Sequence, residues 1–222
     1  MKGYQKIDGG VLKSAREYDI AAATAITEGQ LVKLTEGLVV ATVAAETSAI
    51  LGIAAESHPG TADALDPRAN GKKIMVWDDP DLVMQCAPPE VTAASGSATT
   101  LVVTALQAFS NDDFNGGYVK LVSKVDESTN TDAVGTIRRI TDFAVTANTS
   151  GTLTLESGGT PNAGDVYAVF PPIGFAKGNL NASRTGVVLT ASASLPIKVA
   201  GHDRELDKIN YIAGKHMLSV NA

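Results

Sequence analysis

The sequence has few cysteines, histidines and aromatic residues, and each shortage excludes some kinds of chemistry. Its 222 residues include one cysteine, one tryptophan and three histidines, and aromatic residues make up only 5%. Cys86 cannot form an internal disulfide, and its strand-like surroundings favour a buried, unreactive thiol. The histidines, His58, His202 and His216, lie in no motif known for nucleophilic catalysis or zinc binding. We therefore expect a protein that is not an enzyme and has no metal or cofactor.

Long apolar runs and basic clusters are also absent from the sequence. No run approaches the roughly 18 apolar residues of a membrane helix, and the N-terminus lacks the apolar stretch of a signal peptide. The net charge is −6, and the 18 lysines and arginines are scattered rather than gathered into a stripe. We expect a soluble protein, made in the cytoplasm, that binds neither membranes nor nucleic acid.

What the sequence does contain is a series of short β-strand signals. Hydrophobic residues make up 44%, mostly Ala, Val, Leu and Ile, and the 21 glycines punctuate them. The predicted strands are 30–34, 38–41, 50–55, 73–77, 82–86, 101–105, 118–122, 136–143, 151–155, 165–170, 187–189 and 195–199, and the chain has an apolar end at 217–220. Such close spacing predicts an all-β sandwich or small barrel.

Segments between the predicted strands suggest loops, a linker and at most one helix. The polar stretch 56–71 reads as a surface loop, and 93–100, rich in Ser, Ala, Gly and Thr, reads as a linker. The one helix candidate, 203–211, is short and mostly charged, so a single turn or a structured loop is equally compatible. Pro88-Pro89 and Pro171-Pro172 close the first and second groups of strands, because proline cannot donate to a sheet ladder.

Several polar residues have both a functional and a structural interpretation. The acidic clusters 78–81 and 111–113 offer oxygen ligands for Ca²⁺, but neither has the glycine and terminal glutamate of an EF-hand, which favours turns. Of the adjacent Arg138 and Arg139, only one can face a core or a partner. The structural interpretation is that one is solvated and the other covers apolar surface with its stem. Trp77, flanked by apolar residues, is predicted to pack in a core rather than bind carbohydrate.

The first group of strands resembles the β-barrel core of phage head decoration proteins, a family that includes the lambda-type capsid stabilisers. The resemblance covers roughly residues 20–90 and rests on four segments in order: ITEGQLVKL at 26–34, GLV at 37–39, ILGIA at 50–54 and IMVW at 74–77. It implies a small β-barrel or β-tulip-like domain. It also implies a cement role on the outside of a tailed-phage capsid.

The second group of strands resembles a β module that recurs in phage virion proteins. The matching segments are FNGGY at 114–118, GTIRRITDF at 135–143, GTLTL at 151–155 and AGDVY at 163–167. This resemblance implies a virion protein synthesised in the host cytoplasm. It fits a tail, fibre or other adhesin module as well as a capsid decoration protein.

Together these features predict three parts of the chain. Residues 1–19 form a flexible N-terminal arm, 20–92 a decoration-type domain completed by 175–222, and 93–174 either an insertion or a second β module. The family resemblance implies a homo-oligomer, a trimer, seated on the major capsid protein. We expect the arm to contact the capsid through Lys2, Tyr4, Lys6 and Ile7.

Overall fold

The protein is all-β, as the sequence predicts. The structure, a computed structural model, describes residues 5–7, 15–21, 24–60, 73–146, 149–182, 185–190, 195–203, 206–215 and 217. Apart from one short 3-10 helix, Thr104–Leu106, the regular elements of these residues are all strands.

Eighteen strands occur in the described part of the chain. The first nine are β1 (Gln5–Ile7), β2 (Arg16–Asp19), β3 (Leu31–Thr35), β4 (Leu38–Ala41), β5 (Gly52–Ala54), β6 (Lys73–Trp77), β7 (Val83–Cys86), β8 (Glu90–Thr92) and β9 (Ser95–Ser97). The others are β10 (Thr100–Val103), β11 (Tyr118–Ser123), β12 (Ile137–Thr146), β13 (Ser150–Leu155), β14 (Val166–Phe170), β15 (Asn179–Leu180), β16 (Val187–Val188), β17 (Ile197–Asp203) and β18 (Lys208–Ala213).

The chain divides into two compact units. Unit 1 comprises Met1–Ala87, Asn179–Val187 and Ser194–Ala222, and unit 2 comprises Pro88–Gly178 and Val188–Ala193. The sequence places the end of the first domain at residue 92 and the end of the second module at residue 174. Whether these parts fold independently stays a prediction.

Unit 1 contains a five-stranded antiparallel sheet of order β2-β6-β5-β3-β4. The β3–β4 hairpin turns through Glu36 and Gly37, both with positive φ, as a two-residue hairpin loop requires. Glycine adopts this conformation without steric cost. One face of the sheet carries an aliphatic core: Ile20, Ile26, Val32, Val39, Leu51, Ala54, Ile74 and Val76.

The small barrel expected for residues 20–92 is not formed. The two edges of the five-stranded sheet are joined by a single parallel bridge, between Ile20, just after β2, and Val39 in β4. One bridge is not a strand ladder, and β2 is only four residues long, so the described sheet does not close.

A second sheet of unit 1 has the order β1-β7-β18-β17. Met84, Gln85 and Cys86 of β7 are all buried, so both faces of this central strand are covered. The helix considered for 203–211 is wrong, because this segment contains the last residue of β17 and the first four residues of β18, which pair as a hairpin. Ile209 and Tyr211 are buried at alternate positions, which is the period of a strand rather than a helix.

Unit 2 is built on a seven-stranded antiparallel sheet of order β8-β14-β11-β12-β13-β10-β9. The linker expected at 93–100 is wrong, since it contains β9 and the first residue of β10. Its small polar residues pair with a neighbouring strand because Ser95 to Ser97 lie opposite Val102 to Thr100. The two edge strands, β8 and β9, follow each other in the sequence with only Ala93 and Ala94 between them. The sheet is therefore curved, which brings its two edges close together.

The concave side of this sheet encloses the core of unit 2. All five phenylalanines of the chain lie in this unit: Phe109, Phe114, Phe143, Phe170 and Phe175. Phe114 is completely buried, with ring centroids 5.0 Å from Phe109 and 4.9 Å from Phe143 in edge-to-face geometry. Such aromatic pairs each add about 0.5–1.5 kcal/mol beyond the burial of their area.

The sequence places the first strand after residue 19, whereas two strands lie within 1–19. β1 pairs with β7 in the four-stranded sheet, and β2 pairs with β6 in the five-stranded sheet. Isolated apolar residues can join a sheet in this way because a strand gains main-chain hydrogen bonds whatever its side chains.

We predict that Gly52→Ala destabilises unit 1. A Cβ on Gly52 would lie 1.9 Å from the carbonyl oxygen of Trp77, so β5 and β6 would have to separate. The expected loss is about 1–3 kcal/mol of unfolding free energy. Urea titration followed by the fluorescence of Trp77, the only tryptophan, measures it.

Gly201→Ala is the matched control for this substitution. Gly201 also lies in a strand of unit 1, but there a Cβ would make only an ordinary contact, 3.8 Å from Asn210 Nδ2. Equal urea midpoints for the two variants would contradict the prediction.

Candidate functional site

The residues predicted to contact a capsid lie at the N-terminus, partly within β1. Lys6 and Ile7 are opposite Met84 and Val83 of β7, and β1 forms one edge of its sheet. Lys2 and Tyr4 lie outside the described residues. The structure therefore places two of the four residues on a sheet edge, and their contact with a capsid stays a prediction.

A buried carboxylate fixes β2 against the end of β6. The Tyr18 hydroxyl donates to Asp78 Oδ2, and the exposed Arg16 guanidinium lies 3.4 Å from the same oxygen. Asp78 is buried, directly after Trp77, where the chain leaves β6. Burial, reinforced by the hydrogen bond to Asp78, raises the pKa of Tyr18 to about 12.

A second buried carboxylate organises the loop between β4 and β5. Glu46 accepts hydrogen bonds from the backbone amides of Val43 and Ser48 and pairs with Lys33 Nζ at 2.8 Å. Burial alone would raise the pKa of Glu46. The bonds from Lys33, Ser48 and Val43 outweigh it, so this pKa lies below its usual value.

Unit 2 contains a larger cluster around Asp165, a carboxylate with no exposed surface. Its oxygens accept hydrogen bonds from Ser128 Oγ at 3.1 Å and from Asn130 Nδ2 at 3.0 Å. The backbone amides of Val125 and Asn162 donate at 3.2 and 3.1 Å. Burial would raise the pKa of Asp165, but the four donors together hold it below its usual value.

Asn130 extends this cluster into the core of unit 2. Its Nδ2 also donates to the Tyr167 hydroxyl at 2.8 Å. Burial raises the pKa of Tyr167 to about 12, with the charges of Asp165 and Asp132 adding to it and the bond from Asn130 opposing it. A core tyrosine is thereby tied to the loop between β11 and β12.

A buried arginine holds the neighbouring loop after β13. Arg138 donates to the carbonyl oxygens of Ala98, Glu156 and Gly159, and its Nη1 lies 3.6 Å from Asp132 Oδ2. The side chain of Arg138 is only 4% exposed, whereas Arg139 is exposed. One arginine does face inward, and its guanidinium binds loop backbone. That its stem covers apolar surface stays a prediction.

These clusters are suited to holding loops rather than to acid–base chemistry. The lowered pKa values of Asp165 and Glu46 keep both carboxylates ionised at neutral pH. Their lone pairs already accept hydrogen bonds from the protein, so neither is poised to take a proton from a substrate. What the geometry supplies is a set of loops with fixed backbone positions.

The other polar residues considered from the sequence are dispersed in the structure. His58 is buried, with Nδ1 accepting from the Gly60 amide at 3.1 Å, and His202 lies in β17. His216 lies outside the described residues. Within the described ranges, no three His, Cys, Asp or Glu side chains are grouped to hold a metal ion.

Both acidic clusters form turns. Asp79 Oδ1 accepts from the Asp81 amide at 2.9 Å, which closes the turn between β6 and β7. In the other cluster, Asp113 accepts from Ser110 and pairs with Lys177 at 2.6 Å. Cys86 is buried in β7, and Trp77 is half-buried in β6.

Exposed apolar side chains in the described part of the chain are aliphatic and lie mainly in loops and at strand ends. The large ones are Leu38, Val43, Val122, Val125, Val134, Ile173, Val188 and Leu206. Ile173 is 72% exposed in a turn whose Phe175 amide donates to the Pro172 carbonyl at 3.1 Å. Single exposed aliphatic side chains are ordinary on protein surfaces and do not by themselves mark an interface.

Comparison with known proteins leaves the family undetermined. No protein-family model, curated protein or solved structure matches the chain. None of the described residues form a helix long and apolar enough to cross a bilayer.

Sequence reasoning missed Asp165, Asn130 and Glu46. The partners of Asp165 lie up to 40 residues away, and nothing local in the sequence indicates that its loop returns to Val125. The one usable signal is the turn PNAGD at 161–165, where a glycine precedes an aspartate that can bond backbone amides.

We predict that Asp165→Asn destabilises unit 2 by about 2 kcal/mol or more, because the new amide hydrogens would face buried donors. The pKa of Asp165 is lower in the folded protein than in the unfolded chain, where it is near 3.9. Its contribution to the unfolding free energy is therefore complete above the unfolded-state pKa and is lost as the pH falls through the folded-state pKa. Urea unfolding by circular dichroism across pH 3–7 measures both effects.

Asp126→Asn is the matched control, since Asp126 is exposed in the same β11–β12 loop. It should leave the unfolding midpoint within about 0.5 kcal/mol of wild type. An Asp165→Asn variant as stable as this control would sink the prediction.

A further prediction concerns alkaline pH. Burial raises the pKa of Tyr18 and Tyr167 to about 12, and that of Tyr211 well above 10. The unfolded chain ionises its tyrosines near pH 10, so stability should fall between about pH 10 and 12. Tyrosinate absorbance of the folded protein should lag behind that of the urea-unfolded chain, and Tyr18→Phe should reduce the lag. Superimposable titrations would refute it.

Proposed function

We propose that this chain is a structural protein of a tailed-phage virion that binds the outer surface of the capsid and stabilises it. The observation that carries the proposal is the position of the four segments that resemble the decoration family. They fall on β3, β4, β5 and β6, which are adjacent in one sheet in the order β6-β5-β3-β4. Segments spread over residues 26–77 of the sequence therefore lie side by side in one sheet.

The segments that resemble a virion β module are also brought together. They contribute to β11, β12, β13 and β14, which are neighbours in the order β14-β11-β12-β13. The residues AGDVY at 163–167 include Asp165 and Tyr167, the centre of the buried polar cluster. The resemblance thus falls on residues with a structural task in unit 2.

Loops held by buried charges suit a protein whose task is binding. Ordering a loop on binding costs free energy, and a loop fixed in advance by Asp165 or Arg138 avoids that cost. The proposed partner is the major capsid protein, which presents a broad and repetitive surface. The proposed assembly is a homo-oligomer, a trimer, that contacts the capsid through its N-terminal residues.

Stabilisation of a capsid in this way requires no chemistry. A protein that binds the assembled, expanded shell and not its dissociated subunits stabilises the shell by mass action. At free concentrations about 100-fold above Kd, each independent site contributes roughly 2.7 kcal/mol. Repeated over many sites, this contribution would raise the temperature at which the shell opens.

Co-sedimentation tests the proposal directly. Purified protein is mixed with expanded, undecorated capsids of the phage that encodes it, and with unexpanded shells as the control. We expect saturable binding to expanded capsids and a higher temperature of genome release. Protein that stays in the supernatant at every concentration would overturn the proposal, and binding to host cells instead would favour a tail or fibre adhesin.

The N-terminal contact has its own test. Lys2→Glu/Lys6→Glu should weaken capsid binding at least tenfold, because two cations become anions. Lys198→Glu, at an exposed lysine in β17 of the same sheet as β1, is the matched control and should bind as wild type does. Unfolding midpoints of both variants check that the fold survives. Equal affinities for the two would exclude the N-terminal lysines as the anchor.

A further inference from the structure

Unit 2 contains an asparagine–glycine pair, a sequence prone to deamidation, in a turn whose backbone is held by hydrogen bonds. The chain has two such dipeptides, Asn70-Gly71 and Asn115-Gly116. Because glycine has no side chain, its backbone nitrogen approaches the preceding asparagine side chain more easily than that of any other residue. Asn115 lies in the turn between Asn111 and Gly116, within the described part of unit 2.

The chemistry at such a pair is intramolecular. The Gly116 nitrogen loses its proton and attacks Asn115 Cγ, the Cγ–Nδ2 bond breaks, and ammonia leaves with the proton. The resulting five-membered imide is opened by water at one of its two carbonyl carbons. The products are aspartate or isoaspartate at position 115, and the net change is replacement of an amide NH₂ by OH.

The folded structure blocks the first step. The Gly116 amide donates to the Ile140 carbonyl at 3.0 Å, so the attacking nitrogen is engaged with its proton. The amides on either side are also held, that of Asn115 by the Asp112 carbonyl and that of Gly117 by the Phe114 carbonyl, each at 3.0 Å. The backbone cannot rotate to bring nitrogen and Cγ together without breaking these bonds.

Core packing extends this restraint beyond the turn. Phe114, directly before Asn115, is completely buried between Phe109 and Phe143. Opening the turn therefore requires this ring to move and its neighbours in the core of unit 2 to loosen. Reaction at Asn115 is coupled to unfolding of the core rather than to motion of a surface loop.

The surroundings of the amide also oppose the product. Asn115 Nδ2 donates to Asp112 Oδ1 at 2.7 Å and lies 3.4 Å from Asp142 Oδ1. Its Oδ1 is buried and accepts no hydrogen bond from the described residues. Aspartate at position 115 would have no amide hydrogens to donate to Asp112 and Asp142, and it would add a third negative charge beside these two carboxylates.

We propose that Asn115 is a deamidation site gated by the folding of unit 2: protected in the native turn, reactive when the unit opens, and unfavourable to refolding once converted. A molecule that has been unfolded for long enough is thereby marked by a covalent change that its native state resists.

The first experiment compares the folded protein with the same protein in urea, both at mildly alkaline pH. Peptide mass mapping follows the conversion of Asn115, and Asn70 in the unfolded sample serves as an internal standard for an unrestrained Asn-Gly pair. We expect Asn115 and Asn70 to react at similar rates in urea. Asn115 should react at least about tenfold more slowly in the folded protein, which corresponds to an opening free energy of about 1.4 kcal/mol. Equal rates at Asn115 in both states would overturn the proposal.

A core variant separates folding from local sequence. Phe143→Leu loosens the packing on Phe114 but leaves residues 113–117 unchanged. In native buffer its Asn115 should deamidate roughly tenfold faster than in wild type, since the open state is more populated. A variant with a lower unfolding midpoint but an unchanged deamidation rate would show that the core does not gate the reaction.

The effect of the product is tested with Asn115→Asp, which mimics it. This variant should have a lower urea midpoint than wild type at neutral pH, and adding Asp142→Asn should recover part of the loss by removing one like charge. The single Asp142→Asn variant completes the cycle. An Asn115→Asp protein as stable as wild type would refute the claim that conversion hinders refolding.

Discussion

The structure depends on buried charged side chains that bind loop backbone. An all-β chain has many turns, and the amides and carbonyls of a turn cannot all pair within a sheet ladder. Here Glu46 and Asp165 accept hydrogen bonds from loop amides, while Arg138 donates to three loop carbonyls. Each charge is costly to bury alone, so its stabilising effect exists only while the loop keeps its conformation. A change in the conformation of one of these loops would therefore leave a buried charge without its partners.

This coupling bears on how such a protein could bind a large partner. Aromatic residues are few, and the exposed large apolar side chains of the described chain are all aliphatic. Affinity would then come from many modest contacts whose positions are fixed beforehand. A partner with repeated, symmetric copies multiplies such contacts, because linked sites bind with a high effective concentration. The proposed role on a capsid, and the trimer proposed with it, make use of this advantage.

Elements determined by residues close in sequence could be predicted, whereas those that depend on distant residues could not. Strands with alternating or continuous β-branched residues, such as β6 and β14, were predictable because their own residues bury against a core. The segment 93–100 was not, because its small polar residues become strand only by pairing with β10. The start of β18 within 203–211 was missed for a related reason, since the charged residues around it hide the alternation of Ile209 and Tyr211. Three of the four donors to Asp165 lie 35 to 40 residues away, and the local turn at 161–165 does not reveal them.

The N-terminal strands limit how the proposed arm could act. β1 already uses one edge to pair with β7, and it ends its sheet, so no further strand of the described chain pairs with its other edge. Strand addition by a capsid protein at that edge would be compatible with β1 staying in place. β2 is different, because Tyr18 and Arg16 both engage Asp78, and pulling β2 away would leave a buried carboxylate without these two partners. A capsid contact that leaves the fold intact would therefore involve β1 and the residues before it, while β2 stays attached to β6.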